Sequence, residues 1–197
     1  MFYPRFFDQP GSITSAVGVT GLVAVYAAGT LIVFRAAGQA GCPVLRMAGL
    51  VGMGLGLIEV ANISLETFTD IPGRAGMAAT APLILGPFIG WGLVAVWTAR
   101  RTAGWRLGVL AAAWTAMVTM TIGVTYGLAL ALVARPRMET ILAGDPDFVR
   151  SGWLDLRAFV LANTFDNALT HLLGGLIVAT LVGLLGSLIG QVGSQRA

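Results

Sequence analysis

Two short stretches of this sequence place carboxylates, carboxamides and an imidazole among otherwise apolar residues. One holds Glu59, Asn62 and Glu66; the other holds Asn163, Asp166, Asn167, Thr170 and His171 at i, i+3, i+4, i+7 and i+8. At about 100° per residue the first three fall within an arc of roughly 60°, and the other five gather on one helix face. Holding a carboxylate near the centre of a bilayer costs at least ~2.5–3.5 kcal/mol, so intramembrane ionisable groups are functional by default. Carboxylates beside an imidazole can exchange a proton, which points to ion movement, proton-coupled solute movement or binding of a cationic or polar small molecule. Glu59, Asp166 and His171, with Glu66, also amount to an oxygen-rich metal-ligand set with one imidazole. That set suits Mn, Fe or Zn, so a membrane-embedded metal-dependent enzyme is the alternative. A third reading is an accessory subunit of a membrane complex, its Asn, Thr and His side chains merely satisfying one another across helices.

Other chemistries are excluded by what the chain lacks. One cysteine (Cys42) and one histidine rule out a disulfide scaffold, a Cys/His zinc cluster and bis-histidine haem ligation within one chain. The Glu-x-x-His spacing of carboxylate-bridged di-metal bundles does not occur. There is no G-x-S-x-G, P-loop, H-E-x-x-H or C-x-x-C, and no paired nucleophile and base, so the reading leans away from an enzyme. The run from Gly52 to Gly56 resembles part of a nucleotide fingerprint but lies inside an apolar segment with no preceding strand, which makes it helix packing.

The elements that must position the polar residues are membrane spans. Of the 197 residues 56% are hydrophobic and 11% charged, against about a quarter charged in a soluble domain. A crossing needs about 20 mostly apolar residues. Five such runs predict an all-α polytopic bundle in the cell membrane, with spans at 15–34, 44–65, 81–98, 105–133 and 158–190. The last two exceed a perpendicular crossing and should tilt or project. The first run is too long for a signal-peptide core and is read as a span. Phe2, Tyr3, Phe6 and Phe7 around Arg5, and Trp97, Trp105 and Trp153 elsewhere, suit interfacial anchoring. The 12 basic residues are all arginines, set singly or in pairs between apolar runs, so nucleic acid is not a partner; the lipid bilayer is. Five crossings divide the arginines six against six. The densest short loop, with Arg100, Arg101 and Arg106, favours an outside N-terminus and a cytoplasmic C-terminus.

With five crossings, the end of the second span and the start of the fifth share one side of the membrane, so the two polar stripes can meet. The fourth span also ends there and brings Thr119, Thr121, Thr125 and Tyr126. The expectation is a polar pocket in the outer half, built from Glu59, Asn62, Glu66, Asp166, Asn167, Thr170 and His171 and supported by Asn163, Thr119 and Tyr126. Small residues at Gly49, Gly52 and Gly56, at Gly86 and Gly90, and at Gly175, Ala179, Gly183, Gly186 and Gly190 predict close helix approach. They serve either a tight bundle or assembly into a homo-oligomer or larger membrane complex. Pro82 and Pro87 predict a kink in the third span. In the loop 134–157, Gly144–Phe148 reads as the start of a short interfacial helix with Pro at its first position. Phe148, Val149, Trp153, Leu154 and Leu156 would lay it on the membrane as a connector to the fifth span, a lid over a pocket being the other possibility.

Overall fold

The computed structural model describes residues 12–39, 43–69, 71, 73–102 and 104–194. The aromatic anchor around Arg5, together with Asp8, Cys42, Asp70 and Arg196, lies outside the described residues. Seven helices account for nearly all of the rest: α1 (Ser12–Gln39), α2 (Pro43–Phe68), α3 (Gly73–Thr102), α4 (Trp105–Val133), α5 (Arg135–Leu142), α6 (Pro146–Ser151) and α7 (Leu156–Ser194). Five of them, α1 to α4 and α7, are long and apolar enough to cross a membrane. The chain is an all-α transmembrane bundle. Span α4 coincides with its expected limits, and the others continue past theirs at both ends. Hydropathy marks only the part of a helix that meets hydrocarbon, whereas the hydrogen-bonded ladder continues until the backbone is interrupted. At 1.5 Å per residue the 39 residues of α7 reach about 58 Å, well beyond about 30 Å of hydrocarbon.

Helix α4 is the centre of the bundle and packs against α2, α3 and α7, with α1 at the edge. Without a hydrophobic drive in lipid, close approach and interhelical hydrogen bonds must hold the spans together. The glycines supply the approach. A Cβ on Gly52 would stand 2.7 Å from the Thr115 carbonyl oxygen on α4, and one on Gly56 would collide with Ile122. Gly175 and Gly183 seat Met120 and Ala112 of α4 in the same way. Gly186 and Gly190 press on the Gly92 and Val96 carbonyls of α3, so α3 and α7 run parallel in matched register. These small-residue faces are therefore filled by contacts within the chain. Thr115 and Thr119 supply the hydrogen bonds: each hydroxyl lies between a carbonyl four residues back on α4 and one on α2, Ala48 at 3.1 Å and Gly52 at 3.2 Å. Trp114 Nε1 donates to the Leu45 carbonyl at 3.1 Å. Trp91, fully buried, stands against Phe88 edge-to-face and reaches Thr119 Oγ1 at 3.4 Å. Helix α3 remains continuous through Pro82 and Pro87.

The connector differs from its expected form. It contains two short helices, α5 and α6, instead of one. Helix α6 begins as read: Pro146 is in its first turn, and Asp145 caps it by accepting from the Asp147 amide at 2.7 Å. It does not run on into the fifth span, because Gly152 in the left-handed conformation (φ +70°) ends it four residues before α7. Phe148 and Trp153 turn inward and stack on Phe159, while Val149 and Leu154 stay 74% and 90% exposed. Helix α5 emerges from the arginine-rich stretch, where Met138, Ile141 and Leu142 at i, i+3 and i+4 form an apolar underside.

Candidate functional site

A cavity of about 440 Å³ opens among α2, α4, α5 and α7. That volume lies within the range of about 300–1,000 Å³ common to small-molecule sites. Helix α2 contributes Glu59, Asn62, Ile63, Glu66 and Thr67 to its wall. Helix α7 contributes Asn163, Thr164, Asn167, Ala168 and His171. From α4 come Met120, Gly123, Val124, Gly127, Leu128 and Leu130, and from α5 the three apolar residues of its underside. Both polar stripes read in the sequence therefore do border one space, toward the end of the molecule where α2 and α4 finish and α7 begins.

The side chains there are arranged by helical spacing. Glu59 stands about 5 Å past the midpoint of the 26-residue α2, at 1.5 Å per residue. Its Cβ rests on Gly123, where a Cβ would approach to 3.3 Å, so the missing side chain on α4 is what admits it. One turn onward, Asn62 is 7% exposed and its Nδ2 donates to Glu66 Oε1 at 3.2 Å. Its Oδ1 is buried without a hydrogen-bond partner. Exchanging the amide's two ends would set oxygen against carboxylate oxygen, so the amide is held this way round. On α7, His171 Nδ1 lies 2.9 Å from the Asn167 carbonyl. A carbonyl only accepts, so Nδ1 carries the hydrogen and Nε2 presents a lone pair whenever the ring is neutral. Glu59 lies within electrostatic range of both His171 and Glu66. Glu66 also borders a second hollow of about 320 Å³ at the α2–α3 turn, with Thr69, Gly73 and Met77.

Several expected members are elsewhere. Asp166 does not line the cavity; its Oδ1 accepts from Ser15 Oγ on α1 at 2.9 Å. Thr170 is exposed and also outside the lining. The five-residue stripe of α7 spans about 140° from Asp166 to His171, too wide for one concave wall. Its Asn163–Asn167–His171 edge faces the cavity and its Asp166 edge faces α1. Thr119 is buried in the α2–α4 contact, and Tyr126 shares a 2.6 Å hydrogen bond with Ser64, so neither reaches the cavity. Thr121 bonds back to the Met117 carbonyl at 2.7 Å, and Thr125 is exposed. Span α4 thus gives the site room through Gly123 and Gly127, not hydroxyls. Glu59, Asp166 and His171 do not converge, and among the described residues no three of His, Cys, Asp and Glu gather as metal ligands.

Of the two connector helices, α5 and not α6 borders the cavity. From α5, Arg137 Nε donates to the Thr67 carbonyl at the end of α2 at 2.8 Å. Glu139 pairs with Arg135 at 3.2 Å and with Arg157 at the start of α7 at 3.4 Å. Both neighbours of the cavity thereby hold α5. A hydrogen bond from a charged donor contributes about 1.5–3 kcal/mol, less when partly solvated. Arg137→Ala is accordingly expected to speed amide hydrogen exchange across 135–142 about tenfold while leaving the α3–α7 contact as protected as before. Unchanged exchange in α5 would show that the latch does not hold it.

No protein-family model, curated protein or solved structure matches this chain.

Proposed function

We propose that the cavity is an intramembrane binding site for an ion or small polar solute, and that the protein transports this solute or assists a transporter that does. One observation supports the reading above the rest: half-buried Glu59 and the more exposed Glu66 and His171, ionisable groups carried on spans, border the same space instead of pairing off in helix contacts. The remainder of the wall is apolar, as in sites that enclose a small molecule and orient it with a few polar groups. With the N-terminus outside, the cavity belongs to the outer half of the membrane and α5 covers its outer face. The metal-enzyme reading finds no converged ligand set in its favour among the described residues.

The test is charge displacement in proteoliposomes on a solid-supported membrane, after concentration jumps of protons, sodium, primary amines and amino acids. At least one should evoke a transient current that Glu59→Gln reduces about tenfold or more. Asp166→Asn should leave that current intact, because its carboxylate serves the α1 contact. Silence toward every solute, or equal currents in wild type and Glu59→Gln, would remove the proposal.

A further inference from the structure

The hydrogen-bonding balance of the cavity narrows its ligand, granted that the cavity is a solute site. Glu59 and Glu66 are acceptors when ionised, and His171 Nε2 is one when the ring is neutral. Asn62 Oδ1 adds an acceptor that is buried and unmatched. Such an orphan is costly unless something donates to it, and the protein offers it nothing. On the facing wall Thr164 Oγ1 is already committed to the Val160 carbonyl at 2.8 Å, and the Asn163 and Asn167 carboxamides can donate as well as accept but make no hydrogen bond to Asn62 Oδ1. None of the described residues lining the space is an arginine, so an anion would meet two carboxylates with the His171 imidazole alone to set against them. A bare metal ion needs several ligands converging on one point, and among the described residues no three of His, Cys, Asp and Glu gather in that way.

We propose that the ligand is a protonated primary amine with a compact apolar body. Its ammonium donates to Asn62 Oδ1 and is neutralised by the Glu59 and Glu66 carboxylates, while its body lies against the α4 and α5 side chains. A primary ammonium brings three N–H donors and a positive charge, which match the unmatched Asn62 Oδ1 and the two carboxylates that no arginine of the lining balances.

Calorimetry on the full chain in a neutral detergent tests this with four probes of nearly one shape: 2-phenylethylamine, its N,N,N-trimethyl derivative, 2-phenylethanol and 3-phenylpropionate. The amine should bind at least about tenfold tighter than each of the others, since leaving a buried acceptor unmatched costs about one decade or more. Asn62→Leu should lower amine affinity about tenfold and abolish its advantage over the trimethyl compound; Asn62→Asp, which keeps an acceptor, should retain that advantage. Equal binding of amine and trimethyl compound, or preference for the alcohol or carboxylate, would overturn the amine assignment. Should such binding still depend on Glu59, the solute site survives without the amine. Failure of all four probes to bind in a way that Glu59→Gln alters overturns the amine assignment, whereas the solute site itself falls only with the charge-displacement test. The wild-type probe series decides the matter even where a variant does not fold.

Discussion

Gly186→Ala and Gly190→Ala are expected to destabilise the bundle by about 2 kcal/mol each, and the two together to prevent its recovery as a monodisperse protein in detergent. A Cβ at these positions would stand 2.6 Å from the Gly92 and Val96 carbonyl oxygens. Those are backbone atoms of α3 and cannot rotate aside, so the helices must separate along their shared length. Two effects of opposite sign compete. Replacing a mid-helix glycine by alanine gains about 1 kcal/mol of helix propensity, while overpacking a tight contact costs about 1–3 kcal/mol and more where nothing can yield. The clash wins at Gly186 and Gly190. At Gly54, where a Cβ meets nothing within 4 Å, only the gain remains. Thermal unfolding followed by size-exclusion fluorescence should therefore rank Gly54→Ala at or above wild type and the two α7 variants well below it. Equal midpoints for all three would mean that α3 and α7 are not in contact as described.

Filling the cavity from α4 is expected to abolish its function without harming the fold. Gly127 lines the cavity, and a Cβ there has no neighbour within 4 Å. Gly127→Leu places four carbons into open space beside Leu128 and Leu130. Solute-evoked current should fall by at least about tenfold, while the unfolding midpoint stays level or rises with the gain in helix propensity. Glu59→Gln alters the charge of the site, whereas Gly127→Leu alters only its room, so loss of current in both shows that charge and space are each required. Full current in Gly127→Leu would place the working site elsewhere.

The spans were legible because hydrocarbon imposes one pattern, a long apolar run, on any helix that crosses it. Span α4 was read to the residue, since Gly104 before it and the Arg135–Pro136 pair after it bracket the run. The meeting of the α2 and α7 stripes was legible too, because crossing parity alone fixes which helix ends share a side. The allocation of the α7 stripe was not. Asp166 and Asn167 are adjacent in sequence, and only the position of α1 decides that one bonds to Ser15 while the other faces the cavity. Thr119 misled for a local reason: a threonine hydroxyl inside a span bonds first to the carbonyl four residues back, as Thr119 does to Thr115. Helix α5 was hidden by its charges, Arg135, Arg137 and Glu139, although the spacing of Met138, Ile141 and Leu142 carried a helical signal.

The glycine contacts of α3 and α7 and the cavity lie toward opposite ends of the same bundle. Where Gly186 and Gly190 seat on bare carbonyls, two rods are brazed together; at the other end α2 and α4 touch at Glu59 and Gly123 and through the Ser64–Tyr126 bond, while a space opens between them and α7 with α5 across it. Stiffness is thus graded along the membrane normal, as in a tuning fork. The close-set glycines concentrate tight backbone packing at one end of the bundle and leave the other end to its side chains.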